Sequence, residues 1–232
     1  VGPEATDAVV ADIVTAADPT DPVQVARREA VLGFADLRVD RTETGRAHLE
    51  VAMDLIESGD LLTTSPDLLQ LAVQAVMWSG QTQRLRDQIS GVVAQMAAQG
   101  YLRILPSTVR GLAWCDYAGG RWQSAAELAD QALDLARMGE RAADVCESLA
   151  QVATLDGVRG HLGSALAHVE ESREMAEAMG STWRVVDACW GETLALLGAV
   201  DLARLDDAAT RFATAVRSLV PGQFQPEYLD AA

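Results

Sequence analysis

Histidines and a glutamate in the second half of the chain are the first residues whose spacing suggests chemistry. His161, His168 and Glu171 can share one face of a helix, because residues three, four and seven apart project in similar directions. Imidazole and carboxylate groups are common metal ligands, but metal sites generally use tighter spacing, and His161 stands at the start of its helix. We therefore interpret these residues as a solvated polar face and expect no metal site.

The remaining reactive groups show no catalytic arrangement. Asp206 and Asp207 begin a diphosphate-binding DDxxD pattern, but Thr210 stands where the last aspartate belongs. Two carboxylates at the start of a helix are explained by the helix dipole alone. No serine or cysteine lies in a nucleophile-elbow context. A Ser/His/Asp triad assembled only in three dimensions stays open, since sequence does not reveal one. We expect no catalytic residue, no cofactor and no enzyme activity.

The three cysteines, Cys115, Cys146 and Cys189, are odd in number, far apart and each embedded in an apolar stretch. Disulfide frameworks and zinc sites use closer, paired cysteines. The pattern therefore predicts buried thiols, as expected for a protein of the reducing cytoplasm.

Arginine and aromatic residues give the strongest indication of a binding surface. Arg110, Trp114 and Tyr117 occur at a helical spacing that places them on one stripe. Arg, Trp and Tyr are the residues that most often anchor binding sites. With the positions forty residues earlier, the predicted binding residues are Gln70, Gln74, Trp78, Arg110, Trp114 and Tyr117. Forty residues later the stripe continues as Ala150, Thr154 and Gly157. The alternative, in which Trp114 only packs between helices, stays open.

Small and large apolar residues recur every forty positions, which predicts the elements that position this stripe. The columns are Leu32, Ala72, Leu112, Val152; Gly33, Val73, Ala113, Ala153; Gly45, Leu85, Ala125, Ala165; and Ala52, Val92, Ala132, Ser172. Glycine-containing turns, where glycine supplies the left-handed conformation that ends a helix, are predicted at Gly59, Gly80, Gly100, Gly119-Gly120, Gly139, Gly160 and Gly180. One helix pair cannot bury its apolar face alone, so neighbouring pairs must stack. The pattern predicts an all-α superhelix of about five antiparallel helix pairs, without β-sheet.

A few positions depart from the pattern. Leu85 and Leu196 stand where a small residue belongs, which predicts looser or shifted packing there. A fifth copy with Leu196, Ala208, Ala215 and Gly222 is expected to be displaced by three residues. Residues 1–22 are predicted to be a linker with a short helix near Ala8–Ala17, and residues 23–232 the repeat domain.

The third repeat resembles the tetratricopeptide pattern through Leu112-Ala113, Gly120-Arg121-Trp122, Ala125 and Ala132-Leu133. The forty-residue period is longer than the usual ~34 residues. Longer helices of this kind are similar to the helical sensor regions of large LuxR-type, ATP-binding bacterial regulators, which include the MalT-like activators. The strings that carry this second resemblance are GGRWQSA at 119–125, GVRGHL at 157–162 and PEYLDAA at 226–232. The resemblance covers about residues 24–232.

The resemblance implies the signal-receiving middle of such a regulator, in which the stripe lines the concave surface of the superhelix. In that family an ATPase module precedes the repeats and a helix-turn-helix follows them. The GxxxxGK[ST] phosphate loop is missing here and requires a lysine, which this chain does not contain. Because the chain starts at Val1 and stops at Ala232 within a helical pattern, we expect a fragment of a longer protein, with ATP and DNA binding in modules outside it.

Charge narrows the class of partner. The formal net charge is −16, and the chain contains arginine but no lysine. Phosphate-backbone binding requires clustered basic residues, so we expect this segment not to touch nucleic acid. No apolar run reaches the ~18–20 residues of a membrane span. The expected partner is a protein or extended peptide, or a small effector of mixed polar and apolar character. Homo-oligomerisation stays open, as do two alternatives: a general interaction scaffold unrelated to transcription, and a small-ligand pocket protein or helical enzyme.

Overall fold

The fold is entirely helical in the part of the chain that the structure describes. The structure is a computed structural model that describes residues 11, 14–37, 39–65, 68–98 and 103–218. From residue 22 onward the described residues form eleven helices and no strand. They are α1 (Pro22–Leu37), α2 (Thr42–Ser58), α3 (Leu61–Thr64), α4 (Leu69–Ser79), α5 (Arg86–Ala98), α6 (Leu105–Ala118), α7 (Trp122–Met138), α8 (Ala142–Val158), α9 (Leu162–Ala178), α10 (Thr182–Gly198) and α11 (Leu202–Arg217). The predicted all-α class is confirmed.

Several predicted features fall on residues that are not described. The short helix near Ala8–Ala17 lies outside the described residues except at residue 11 and residues 14–17. The turn at Gly100, the end of the fifth copy at Gly222 and the PEYLDAA string lie outside them as well.

Most turns between helices contain a residue with positive φ, and apart from Leu85 these residues recur at intervals of twenty or forty. They are Asp40, Asp60, Gly80, Gly120, Glu140, Gly160, Gly180 and Val200. After the left-handed residue, the next backbone N–H reaches back to close the turn, as in His161 N to Asp156 O at 2.8 Å and Ser181 N to Ala176 O at 3.0 Å. This pairing is the Schellman arrangement that satisfies the last carbonyls of a helix.

The prediction that glycine takes the left-handed position is wrong at two turns. Gly59 and Gly139 have negative φ, and the left-handed residues are the following Asp60 and Glu140. An aspartate tolerates this conformation better than most residues. Glycine therefore predicts where these turns lie, but it does not predict which residue of the turn is left-handed.

The chain divides into two compact units, and the described residues of the first are those up to residue 98 together with residues 114–119. Within it, α1 and α2 form an antiparallel hairpin whose helices approach closely at Gly33 and Gly45. A methyl group built on Gly33 would lie 2.7 Å from the Leu49 side chain, and one on Gly45 would lie 2.9 Å from the Gly33 carbonyl oxygen. The predicted small-residue seam is confirmed for this pair.

The rest of the first unit packs α4 against α2 and α1. The Phe34 and Trp78 rings meet edge to face, with centroids 4.8 Å apart. Leu85 does not lie within a helix: it is a buried left-handed residue in the turn before α5. The predicted irregularity at Leu85 therefore takes the form of a delayed helix start.

The described residues of the second unit are 103–113 and 120–218, and its helices α7 to α11 begin at residues 122, 142, 162, 182 and 202. The predicted three-residue displacement of the fifth copy is wrong, because α10 and α11 begin forty residues after α8 and α9. At the repeat positions, α10 and α11 carry Glu192, Leu205 and Phe212 where the preceding copy has Val152, Ala165 and Ser172. These larger residues stand where the predicted pattern expects small ones.

Helix α8 lies at the centre of the second unit and packs against α7, α9 and α10. A methyl group on Gly191 would lie 2.7 Å from the Ala150 carbonyl oxygen, and one on Gly157 would lie 2.3 Å from the Ala195 Cα. The contacts advance in the same direction along both helices, so α8 and α10 are parallel and in backbone contact. Leu196, the position predicted to loosen the packing of α10, is 1% exposed.

None of the described helices is both long enough and apolar enough to cross a membrane.

Candidate functional site

The buried helix α8 presents polar side chains along one of its faces. Asp144, Glu147, Ser148 and Gln151 follow one another at intervals of three, one and three residues, which places them within one arc of the helix. We call these four residues the α8 polar face. Ser148 is 0% exposed and Gln151 is 2% exposed. Polar groups at this depth destabilise the fold unless they find hydrogen-bond partners, so each needs an account.

Glu147 is held by two guanidinium groups from other helices. Arg110 of α6 approaches Glu147 Oε2 through Nη2 at 2.5 Å, and Arg184 of α10 approaches Oε1 through Nη2 at 3.0 Å. All three side chains are mostly buried. Charge-assisted hydrogen bonds of this kind are about twice as strong as neutral ones. The Arg110–Glu147–Arg184 bridge therefore connects α6, α8 and α10 across the α8 polar face.

Gln151 and Ser148 are incompletely satisfied within the described residues. Gln151 Nε2 donates to the Arg110 carbonyl oxygen at 2.9 Å. Gln151 Oε1 and Ser148 Oγ are buried and have no hydrogen-bond partner among the residues that the structure describes. A buried polar atom left unsatisfied costs about 1–3 kcal/mol. The α8 polar face thus keeps two hydrogen-bonding atoms for which the described part of the fold supplies no partner.

Asp144 completes the face. It forms an ion pair with Arg141 in the first turn of α8. Burial raises the pKa of the Asp144 carboxyl, and the Glu147 carboxylate raises it further. Arg141, Arg110 and Arg184 act in the opposite direction on the same pKa. Since these charges all influence one carboxyl group, the α8 polar face and its arginines form one electrostatic cluster.

The structure places the predicted binding residues in different environments. Arg110 belongs to the bridge just described. The Trp114 and Tyr117 rings meet edge to face in the first unit, with centroids 5.6 Å apart, and both side chains are half-buried. Trp78 packs on Phe34, and its indole Nε1 is buried without a hydrogen-bond partner among the described residues. Gln74 is half-buried, and the side chain of Gln70 lies outside the described residues. Half-burial leaves both interpretations of Trp114 open.

The predicted continuation of the stripe in the fourth repeat does not line a surface. Ala150 is 3% exposed, Thr154 is 0% exposed, and Gly157 is in contact with Ala195 of α10. The Thr154 hydroxyl donates to the Ala150 carbonyl oxygen of its own helix at 3.1 Å. These positions form the contact between parallel helices α8 and α10, and the polar face lies beside them.

Sequence reasoning misses most of the cluster. Its predicted binding residues do not include Asp144, Glu147, Ser148, Gln151 and Arg184, although polar residues at these intervals interrupt the otherwise apolar segment VCESLAQVATL. That interruption is the available signal. The two arginines are harder to connect with it, because they lie on helices about forty residues away in either direction.

The other candidate groups have structural roles. His161 and His168 both face Asp156, with ring Nδ1 atoms at 3.6 and 3.4 Å from its carboxylate, whereas Glu171 pairs with Arg137. The three candidate ligands therefore do not converge. Among the described residues, no group of three or more His, Cys, Asp or Glu side chains is arranged to hold a metal ion. Asp206 and Asp207 are exposed near the start of α11.

All three cysteines are buried thiols, as predicted. Cys146 Sγ donates to the Ser172 carbonyl oxygen at 3.2 Å, and Ser172 Oγ donates to the Cys146 carbonyl oxygen at 2.9 Å. Burial raises the pKa of the Cys146 thiol to about 11. Because the thiolate is the nucleophilic form, Cys146 is unsuited to nucleophilic chemistry at neutral pH.

Comparison with models of protein families finds no match to this chain, and comparison with curated proteins finds no similar sequence. The α8 polar face and its arginines must therefore be interpreted from their own chemistry. They offer guanidinium donors, carboxylates and two further hydrogen-bonding atoms, which suit recognition of a polar ligand.

Proposed function

We propose that this chain is a non-catalytic, signal-sensing helical-repeat domain of a LuxR-type bacterial transcriptional regulator, which binds a protein, peptide or small effector. The observation that carries the proposal of binding is the Arg110–Glu147–Arg184 bridge across the α8 polar face. A bridge that joins three helices can be altered by a ligand that competes for its charges. Such a change would reach all three helices at once.

We further propose that the helix pairs form a tetratricopeptide-like superhelix with a forty-residue repeat. Three observations support this. Helices α8 and α10 run parallel while successive helices are joined by short turns, left-handed turn residues recur at regular intervals, and helices α7 to α11 begin twenty residues apart. Stacked helix pairs of this kind create extended binding surfaces, which is how solenoid proteins generally work.

A role in sensing is favoured over a role in catalysis by what the cluster contains. Its charged groups are carboxylates and guanidiniums that pair with one another, and a guanidinium stays protonated at physiological pH. Paired groups of this type orient a ligand and discriminate between ligands. The Ser148 hydroxyl of the cluster has no hydrogen-bonded base among the described residues, so it is not an activated nucleophile.

The regulator assignment predicts that the intact gene product is a longer polypeptide, and its sequence and activity test the assignment. We expect a GxxxxGK[ST] loop on the N-terminal side and a helix-turn-helix on the C-terminal side. The longer polypeptide should hydrolyse ATP and bind duplex DNA, whereas the 232-residue chain should do neither. Flanking segments that lack both modules would instead assign the chain to a general interaction scaffold.

A further inference from the structure

We propose that one end of the second unit, which we call the apolar edge, binds an acidic peptide segment of a partner protein that also carries large apolar side chains. The apolar edge consists of four exposed side chains, Trp122, Leu197, Val200 and Leu202. The proposal goes beyond the proposed function, because it concerns a surface other than the α8 polar face. It applies to a regulator and to a general interaction scaffold alike.

The packing of four helices brings these side chains to one end of the unit. Helices α7 and α8 pack as a hairpin with a short turn at residues 139–141, so Trp122 at the start of α7 lies beside the end of α8. A methyl group on Gly198 would lie 2.8 Å from the Val158 Cα, so the end of α10 lies beside the end of α8 as well. Helix α11 then begins at Leu202, directly after the turn that follows α10.

The size of the apolar edge sets the size of the partner segment. Packed helices lie about 8–10 Å apart, so an edge that crosses α7, α8, α10 and α11 extends over about 20–30 Å. A helix rises about 1.5 Å per residue, so a helical segment of about fifteen residues can span the edge.

The four side chains are far more exposed than hydrophobic residues that serve only packing. Val200 is 71% exposed, Leu202 is 65% exposed, and Trp122 and Leu197 are each 53% exposed. They are four of the eight large hydrophobic side chains that are exposed among the described residues. Single exposed apolar residues are ordinary, whereas a cluster of them marks an interaction surface. Tryptophan is also one of the residues that most often anchor protein interfaces.

Val200 gives a second and independent reason to assign a function to this edge. Its φ is 57°, and it is the one β-branched residue with positive φ in the part of the chain that the structure describes. The equivalent turns forty and eighty residues earlier use Gly160 and Gly120, which adopt this conformation without strain. Because Val200 is exposed, its side chain repays little of the strain through packing. Strained residues that the fold does not need are concentrated at functional sites.

Basic residues accompany the apolar edge, although the chain as a whole is acidic. Three segments form this end of the unit, and they are residues 120–123, 158–162 and 197–204. These segments contain three arginines, Arg121, Arg159 and Arg204, and one acidic residue, Asp201, which gives a formal net charge of +2 in a chain of net charge −16. The Asp201 carboxylate is already paired with the Arg204 guanidinium at 2.5 Å. The complementary partner therefore combines apolar side chains with carboxylates.

The net charge of the chain favours a short peptide over larger anionic partners. Salt screens charges that are more than about 8–10 Å apart at physiological ionic strength, so a short peptide on the edge interacts mainly with the arginines beside it. An anionic lipid surface is extended, and a second copy of this chain also carries a charge of −16. Both would face the acidic remainder of the molecule, and that repulsion opposes their association.

The test begins with random fifteen-residue peptides displayed on phage and selected on the immobilised 232-residue chain. We expect the enriched peptides to combine Asp or Glu with Leu, Phe or Trp. A fluorescein-labelled synthetic copy of an enriched peptide is then titrated with the chain by fluorescence anisotropy. Its affinity should fall when salt is raised from about 0.05 M to about 0.15 M, because the arginines contribute to binding.

Variants of the chain separate binding at the edge from folding. Val200→Gly should weaken peptide binding about tenfold, while the unfolding temperature stays the same or rises, because glycine relieves the strain of the turn. Trp122→Ala and Arg159→Glu should weaken binding by at least as much. Met138→Ala is the matched control, since Met138 is 73% exposed at the other end of α7, and it should leave binding unchanged.

The proposal is wrong if no peptide is enriched, if the enriched peptides lack acidic or apolar residues, or if Val200→Gly and Trp122→Ala bind the peptide as the original chain does. Sedimentation velocity and flotation with phosphatidylserine vesicles examine the other occupants. A dimer or a vesicle complex that Val200→Gly dissociates would assign the edge to a second copy or to a lipid surface and overturn the proposal. None of these outcomes decides the proposed function, which the flanking modules test separately.

Discussion

Ser148 and Ser172 both have buried hydroxyl groups in the second unit, but their replacement by alanine should affect stability differently. Both are 0% exposed. Ser172 Oγ donates to the Cys146 carbonyl oxygen at 2.9 Å, whereas Ser148 Oγ has no partner among the described residues. We expect Ser172→Ala to lower the free energy of unfolding by about 1–2 kcal/mol, since it removes a hydrogen bond between two buried groups. Ser148→Ala should change it by less than about 0.5 kcal/mol or raise it.

Urea denaturation of the two alanine variants beside the original chain measures this difference. Equal losses in both variants would show that the Ser148 hydroxyl is satisfied in the folded protein.

The pH dependence of stability should reveal the buried carboxyl of Asp144. Its pKa is raised from the ordinary value of 3.8, chiefly by burial, so its ionised form is disfavoured in the folded state. A carboxyl with a raised folded pKa lowers stability as pH rises from the unfolded pKa through the folded one. We expect Asp144→Asn to stabilise the chain at about pH 7, with a gain that shrinks as pH falls toward 3.8.

Asp201 supplies the control of opposite sign. A hydrogen bond from Arg204 lowers the pKa of its carboxyl, so its ionised form contributes stability that is lost as pH falls through the folded pKa. Asp201→Asn should therefore lower stability slightly at neutral pH. Urea denaturation of both variants between about pH 4 and 7 compares them, and a destabilised Asp144→Asn at neutral pH would contradict the assignment.

At the residue scale, the sequence predicts Arg110 as a site residue but not the groups around it. The α8 positions that lie forty residues after the α6 stripe include Ala150 and Gly157, and both of these residues pack against α10. Helical periodicity identifies which residues share a face. It does not identify which of several neighbouring helices covers that face, because the covering helix is distant in sequence.

Among the elements, the contact between α8 and α10 depends on glycine. A methyl group on Gly157 would lie 2.3 Å from the Ala195 Cα and 2.6 Å from its carbonyl oxygen, and backbone atoms cannot move aside as side chains do. We expect Gly157→Ala to lower the free energy of unfolding by about 2–4 kcal/mol, because α8 and α10 must separate to admit the methyl group.

Gly91 is the matched control in the interior of α5. A methyl group there meets no atom within 4 Å. Gly91→Ala should raise stability by about 0.5–1 kcal/mol, since alanine loses less conformational entropy in a helix. Thermal unfolding of the two variants checks both signs, and a stabilised Gly157→Ala would show that the helices are farther apart than described.

The elements themselves are predicted well where the physical signal is local. The recurring small residues predict the close seam at Gly33 and Gly45, and glycine predicts the positions of several turns but not of those at Asp40 and Val200. The predicted register of the fifth copy is wrong, because Phe212 occupies a position held by Ser172 forty residues earlier. Packing accommodates this exchange, since the Trp190 ring contacts Phe212 with centroids 5.4 Å apart. Because this compensation involves residues of two helices, a comparison of single positions along the sequence does not predict it.

For the whole molecule, charge determines which large partners can approach. The chain has 34 acidic residues against 18 basic ones. Several arginines are already paired with carboxylates, including Arg84, Arg110, Arg184 and Arg211. Non-specific affinity for duplex DNA comes from phosphates that replace counterions on clustered basic groups. Both the excess of carboxylates and the internal pairing of these arginines oppose such binding.

We therefore expect the 232-residue chain to leave the fluorescence anisotropy of a labelled duplex DNA unchanged at about 0.15 M salt and at protein concentrations up to about 10⁻⁵ M. Lowering the salt to about 0.05 M strengthens phosphate contacts by orders of magnitude in proteins that make many of them, so it serves as the sensitive condition. Micromolar binding at the higher salt concentration, with an affinity that falls steeply as salt rises, would contradict this prediction. It would show that the chain has a surface of unpaired basic groups. Absence of binding at both salt concentrations would agree with a domain whose partner is not recognised through phosphates.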